Sequence, residues 1–416
     1  MRKVERSIIF GIFLAISVAI IAFKAATMPG VSDSIFWGTY SVLVTAFLLS
    51  RFVLGALYRP NSLPRDPSYR PSVTVIVPAM NEEDGIGATL DACLASHYPA
   101  ELLEVIAVDD GSTDGTLSEM RAAADRHPGR IQVLTGPNGG KRHAMARGIE
   151  RATGEILIFV DSDSFVAPDA IATMVEYFSD PAVGAVTGHT DVANRDTNVL
   201  TKMQAVRYYV AFKAYKSAEA LYDSVTCCSG CFSGYRKSAV DPVVETWLNQ
   251  TFLGAPSTFG DDRSLTNFLL PKWKVLFAPD AKATTVVPDR YQKFFKQQLR
   301  WKKSWIRETL RASSFMWRKH PVAAASFYVG FFLPLIGPAV VLRTLVVGPL
   351  VAGRWPVYYV GGVLVMALLY GLYYRIHRRE RLWIHGASFA LLYALVLVWQ
   401  LPWAVATLRD SKWGTR

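Results

Sequence analysis

Two aspartates spaced by one serine close an apolar run: Glu155-Ile156-Leu157-Ile158-Phe159-Val160-Asp161-Ser162-Asp163-Ser164. Five consecutive apolar residues without alternation predict a central strand covered on both faces. In an extended backbone, positions two apart leave on the same side, so Asp161 and Asp163 would repel unless a cation lay between them. A divalent ion resolves this most simply. Hard oxygen donors at the carboxyl end of a buried strand suit Mg²⁺ or Mn²⁺, which keep few protein carboxylates and complete their shell with phosphate oxygens. The alternative reading is that Asp163 caps a following helix.

Five further stretches carry chemistry. Val77-Pro78-Ala79-Met80-Asn81-Glu82-Glu83 closes one predicted strand, and Val108-Asp109-Asp110-Gly111-Ser112-Thr113-Asp114-Gly115 closes another. The second offers acceptors for the N–H of a base and the hydroxyls of a ribose, although alone it also reads as a helix-capping turn. Gly136-Pro137-Asn138-Gly139-Gly140-Lys141-Arg142 lacks the spacing and hydroxyl of a P-loop. It can still present a diphosphate to a helix start, or be a solvated basic turn. Phe259-Gly260-Asp261-Asp262-Arg263 offers a carboxylate to take a proton from an attacking hydroxyl, or else a helix-capping pair. Gln297-Gln298-Leu299-Arg300-Trp301 offers a guanidinium for a leaving diphosphate and an indole for a sugar ring, or a membrane-interface anchor.

These stretches must be held by an alternating framework. Strands are expected at 73–77, 103–108, 131–134 and 156–160, with helices at 83–96, 115–126, 141–151 and 264–270, which implies a parallel sheet with ligands at the strand carboxyl ends. Around this domain the chain is unusually apolar. Of its 416 residues 51% are hydrophobic, and the mean hydropathy is +0.20. Ser7 to Phe23 and Ile35 to Tyr58 read as two spans, with Arg2, Lys3, Arg6, Arg51 and Arg59 placing their outer ends in the cytoplasm. Three more apolar runs follow, at about 321–351, 356–374 and 383–408. Residues 291–320, basic and aromatic, suit a helix at an anionic membrane interface. The excess of 45 Lys+Arg over 34 Asp+Glu gives +11, which fits anionic lipid or anionic substrate rather than nucleic acid in so apolar a chain. Four cysteines form neither a disulfide framework nor a zinc set and read as reduced thiols.

Together these motifs resemble the processive family-2 inverting glycosyltransferases, the group of cellulose, chitin and hyaluronan synthases. Gly260-Asp261-Asp262-Arg263, the run Gln297 to Glu308 and the terminal Trp413-Gly414-Thr415-Arg416 are most similar to class I bacterial hyaluronan synthases. The resemblance implies an α/β GT-A domain plus an α-helical transmembrane domain. It divides the chain into two amino-terminal spans (1–60), a cytosolic GT-A domain (70–288), interface helices (289–320), a transmembrane region (321–408) and a gating-loop-like tail (409–416). Asp109, Asp110, Asn81 and Glu82 would hold the uridine, and Lys141 the nucleotide. Asp161 would serve nucleotide and metal, and Asp163 the metal, Mg²⁺ or Mn²⁺. Asp262 would be the general base, supported by Asp261 and Arg263. Arg300 would stabilise departing UDP, while Trp413 and Arg416 would close over it. Trp301 and Gln297 would face the acceptor, together with Ser229, Gly230, Cys231, Tyr235 and Arg236. This last stretch, Ser229-Gly230-Cys231-Phe232-Ser233-Gly234-Tyr235-Arg236, departs from the usual Ser-Gly-Pro-Leu of hyaluronan synthases.

The implied enzyme is a multi-pass plasma-membrane protein, a self-sufficient monomer, that takes UDP-GlcNAc and UDP-glucuronate, contacts lipid and secretes the growing polysaccharide. A chitin-oligosaccharide or other β-glycan synthase is the alternative, and a transporter or scaffold with a degenerate transferase domain is the non-enzymatic one. A cytoplasmic tail requires an even number of crossings, whereas the sequence offers five apolar runs. A re-entrant or broken 321–351 segment, with Pro334, Gly337, Pro338, Gly348 and Arg343, is the expected repair, and it leaves Arg375 to Arg381 outside.

Overall fold

The computed structural model describes residues 3–31, 34–60, 63–353 and 355–410. The expected gating residues Trp413 and Arg416 lie outside this range. The chain forms two compact units: one made of Pro60–Tyr209, Asp223–Ala312 and the chain from Ala404, the other of the chain up to Arg59, Val210–Tyr222 and Ser313–Trp403.

Among the described residues, the first unit is built on ten strands: β1 (Val73–Ala79), β2 (Leu103–Asp109), β3 (Ile131–Thr135), β4 (Ile156–Phe159), β5 (Ser164–Val166), β6 (Val183–Val192), β7 (Ser233–Arg236), β8 (Thr251–Phe252), β9 (Ala255–Pro256) and β10 (Lys274–Thr285). Eight of them form one sheet in the order β3-β2-β1-β4-β7-β6-β10-β5, while β8 and β9 pair separately. The expected parallel sheet is found in β1 to β4. Beyond these four the sheet is mixed: β7 enters between β4 and β6 antiparallel to both, β6 and β10 run parallel, and β5 runs antiparallel to β10.

Apolar runs explain the central strands: Val75, Ile76, Val77, Val105, Ile106, Leu157 and Ile158 are all fully buried. Helices Ile86–Leu94, Thr116–Arg126 and Lys141–Arg151 alternate with them. Register then places the motifs. Ala79 pairs with Asp109, Asp109 with Thr135 and Ile76 with Phe159, so the chain segments that follow these strands emerge at one rim.

In the second unit, among the described residues, Phe10–Thr27, Ile35–Leu57, Pro321–Val351 and Val357–Arg378 are long and apolar enough to cross a membrane. The expected break in 321–351 is not there. Pro321–Leu342 runs on through Pro334 and Pro338, and a π-turn at Arg343–Val347 joins it to Gly348–Ala352. The interruption falls instead between Trp383–Leu395 and Leu397–Ala406, which meet at a 41° bend. Within the spans, Lys24 Nζ is satisfied by the hydroxyls of Ser41 and Thr45, at 3.0 and 2.8 Å.

Candidate active site

Asp161 and Asp163 do not lie on extended backbone. β4 ends at Phe159, and the two aspartates occupy a turn closed by Ser164 N–H donating to the Asp161 carbonyl at 2.9 Å. The segment that follows is β5, so Asp163 caps no helix. Each carboxylate is anchored separately. Asp161 is ion-paired with the Lys141 ammonium. Asp163 Oδ1 accepts from Thr285 Oγ1 at 3.2 Å and Ser164 Oγ at 3.4 Å. Burial disfavours the Lys141 charge, but Asp161 outweighs it and holds this lysine above its ordinary value.

Lys141 is delivered by the turn before its helix. Asp110, almost wholly buried, accepts the backbone N–H of Gly139 at 3.1 Å and Gly140 at 2.7 Å, and pairs with the Arg147 guanidinium. Its oxygens therefore shape the Gly-rich turn. Asp109 Oδ1 accepts from Ser112 N–H at 3.2 Å. Asn81, in the left-handed region at φ 54°, accepts from Thr113 N–H at 2.8 Å, and Glu82 N–H donates to Thr116 Oγ1 at 2.7 Å. The Asn81 and Asp109 motifs thus form one interlocked turn system.

Asp261 and Asp262 open the helix Asp261–Leu269, whose amino-terminal partial charge favours acidic side chains. Gly260 before them has φ +80°, a conformation that costs other residues about 1–2 kcal/mol. The pair then divides. Asp261 is buried and ion-paired with Arg142 at 2.8 Å, and burial raises its carboxyl above the ordinary aspartate range despite Arg142 and Lys141. Asp262 is half-buried. Its Oδ1 accepts from Arg263 N–H at 2.8 Å and its Oδ2 faces the Cys227 thiol at 3.7 Å.

One cleft is lined by Lys141, Asp161, Ser229, Gly230, Tyr235 and Asp262. Gly230 is the close approach: a Cβ there would stand 2.9 Å from Lys141 Nζ and 3.1 Å from both Asp161 oxygens. Cys231 is held as a neutral thiol, its pKa pushed up to about 12 by burial and then by Asp161 and Asp163. Arg236 is a correction to the expected acceptor set. It pairs with Ile156 at the far end of β4, where its guanidinium donates to Glu155 Oε1 at 3.0 Å and the Phe178 carbonyl at 2.6 Å. It braces the sheet.

The Tyr291–Ser313 helix, expected at a membrane interface, buries Gln298, Arg307 and Glu308 within this unit. Its Trp301 ring lies 6.4 Å from Tyr208 and 5.9 Å from the Arg207 guanidinium. Gln297 Oε1 is buried without a hydrogen-bond partner, and Arg300 adjoins Trp301; none of the three lines the cleft. Residues that sequence reasoning missed are Arg147, Thr285, Cys227, Gln250 and Glu308. No spacing signal marks them, since each meets its partner across the fold.

A mixed α/β sheet of this order, with acidic turns gathered at one rim, defines a GT-A transferase domain. Residues 71–304 match the family described as "Glycosyltransferase like family 2". The chain is 32% identical over 394 residues to a hyaluronan synthase of Streptococcus pyogenes, covering 91% of this chain and 90% of the relative. It is 37% identical over 284 residues to an N-acetylglucosaminyltransferase of Rhizobium meliloti, covering 66% and 65%. A solved mannosyltransferase of Pyrobaculum calidifontis, in complex with GDP-Man and Mn²⁺, shares the fold with TM-score 0.60 and 24% identity, over 90% of this chain and all of that one. The chain therefore belongs to the family-2 glycosyltransferases. It is an enzyme, which excludes the scaffold reading.

Proposed function

We propose that the protein is a membrane-embedded, processive, inverting glycosyltransferase that polymerises UDP-sugars into a β-linked polysaccharide and secretes it, the product being hyaluronan from UDP-GlcNAc and UDP-glucuronate. The observation that carries this reading is the single cleft in which Lys141 and Asp161 face Asp262. A cation beside one carboxylate suits a sugar nucleotide, and a second, half-buried carboxylate suits a proton acceptor.

Asp262 takes the proton of the acceptor hydroxyl as that oxygen attacks the anomeric carbon. Lys141 and Arg300 balance the charge growing on the diphosphate, and Trp301 with Gln297 guides the acceptor. Asn81, Glu82 and Asp109 hold the nucleoside, while Asp110 keeps the Gly139–Gly140 turn in place. No covalent sugar intermediate is involved. Asp163 and Asp161 fit a divalent ion by donor chemistry. Among the described residues no group of three or more His, Cys, Asp or Glu could hold one, so the ion would complete its shell from phosphate oxygens and water. Bound there, Mg²⁺ or Mn²⁺ would supply electrostatic stabilisation of the leaving diphosphate.

With the bent pair taken as a re-entrant element, four spans make an even number of crossings, which suits a cytosolic transferase unit. The similarity to the hyaluronan synthase along nine-tenths of the chain supports the product assignment. A second reading, a synthase of N-acetylglucosamine oligomers, is favoured by the 37% identity to the Rhizobium enzyme and by Cys231-Phe232 after Gly230. Purified protein given UDP-GlcNAc alone and with UDP-glucuronate separates the two. Hyaluronidase-sensitive polymer formed only from the mixture is expected, and polymer from UDP-GlcNAc alone would overturn the assignment.

A further inference from the structure

Behind the cleft lies a second, fully interior layer of polar groups. Arg142, 2% exposed, donates from Nε to Asp261 Oδ1 at 2.8 Å and from Nη1 to the Trp247 carbonyl at 3.0 Å and Gln250 Oε1 at 3.4 Å. Its guanidinium lies 5.2 Å from the Trp247 ring centre. Gln250 Oε1 also receives the Ser264 hydroxyl, and Gln250 Nε2 donates to Glu308 Oε1 at 2.9 Å. Arg307 donates from Nε to the same Glu308 oxygen at 3.0 Å and from Nη2 to the carbonyl of Phe259, the residue before Gly260. Asn267 Nδ2 closes the knot on the Glu308 carbonyl at 2.9 Å. The start of the Lys141 helix, the loop at Gln250, the Asp261 helix and the Tyr291 helix are thereby tied at one place.

Buried ionic networks of this kind add little stability over an apolar packing of equal volume, so what they supply is a fixed geometry. The geometry fixed here is the first turn that carries Asp262. Lys141 and Arg142 are consecutive and point to different acidic pairs, Lys141 to Asp161 and Arg142 to Asp261. One helix start therefore sets the spacing between the two ends of the cleft.

We infer that Arg142 is a positioning residue for sugar transfer: acting through Asp261, it holds the Asp262 carboxylate at a set distance from the Lys141–Asp161 end of the cleft. This rests on the assignment of Asp262 as the base. The planar fork matters, because it bonds Asp261, Trp247 and Gln250 at once, whereas a lysine ammonium is a single point charge on a flexible stem. Asp261 needs only to accept a hydrogen bond, which an asparagine oxygen also does.

The test uses the full-length protein in detergent or nanodiscs, with UDP release as turnover and UDP binding by calorimetry as the check of folding. For Arg142→Lys a fall in kcat of about ten- to a hundredfold is expected, with KM for the UDP-sugar within about twofold, since misplacement costs rate rather than ground-state binding. An unchanged kcat in Arg142→Lys, or a raised KM at constant kcat, overturns the inference. If Arg142→Lys does not fold, Gln250→Met relaxes the same restraint from its other side, and an unchanged kcat in that variant is equally fatal. A parent protein that releases no UDP from any sugar nucleotide would instead sink the proposed function, and this inference with it.

Discussion

The two acidic pairs are built on different elements and anchored by different chemistry. Asp161 and Asp163 share a turn at a strand end, each held by a different partner, and the Asp161 side chain keeps 27% of its surface exposed. Asp261 and Asp262 share the first turn of a helix, and burial has divided their work: Asp261 is 5% exposed and locked to Arg142, while Asp262 faces the cleft. Adjacent carboxylates of identical chemistry thus meet different surroundings, one buried on a guanidinium and one open to the cleft. At the strand end Asp161 lines the cleft, while Asp163, 7% exposed, is held by the Thr285 and Ser164 hydroxyls. A helix start presents one acid and spends the other on anchoring.

Three substitutions sharpen this contrast. The largest effect is expected for Asp262→Asn, a loss of about 10³-fold or more in kcat, since the proposed proton acceptor is removed; steady-state UDP release measures it. Lys141→Met comes next. It leaves Asp161 without its counter-ion and the diphosphate without a cation, so kcat/KM should fall by about 10²-fold, mostly through weaker UDP binding as read by calorimetry. A Lys141→Met protein with parental UDP affinity would break the proposed division between the pairs.

The smallest effect concerns pH. The folded-state carboxyl of Asp261 is raised above its unfolded value, so the native state retains a proton that the unfolded state releases. Its contribution to stability is full below the ordinary aspartate pKa and is lost as pH rises through the folded value. Asp261→Asn should therefore remove a decline in thermal midpoint that the parent shows as pH rises above about 4. Parallel midpoint curves for the two proteins would refute the assignment of that decline to Asp261.

Much of this arrangement was legible in residue order. The runs Val73–Val77 and Ile156–Val160 announced buried strands because nothing polar interrupts them, and the Gly136–Arg142 stretch announced a helix beginning at Lys141. The antiparallel β7 was not legible. Ser233-Gly234-Tyr235-Arg236 contains no apolar run, yet all four residues are buried, since the neighbours β4 and β6 rather than side-chain type decide its place. Arg142 reads as part of a solvated basic helix start because its partner lies 119 residues away. The resemblance alone puts Arg236 at the acceptor. Four residues of strand carry it to the opposite end of β4, beside Ile156.

The central claim is that a helix start holds one carboxylate for anchoring and one for proton transfer, opposite a cation-bearing nucleotide end. Its most direct test is the ratio of kcat values of Asp261→Asn and Asp262→Asn, measured by UDP release on preparations that bind UDP equally. The account predicts that Asp261→Asn turns over at least about a hundredfold faster. Equal turnover numbers, or a faster Asp262→Asn, would contradict it.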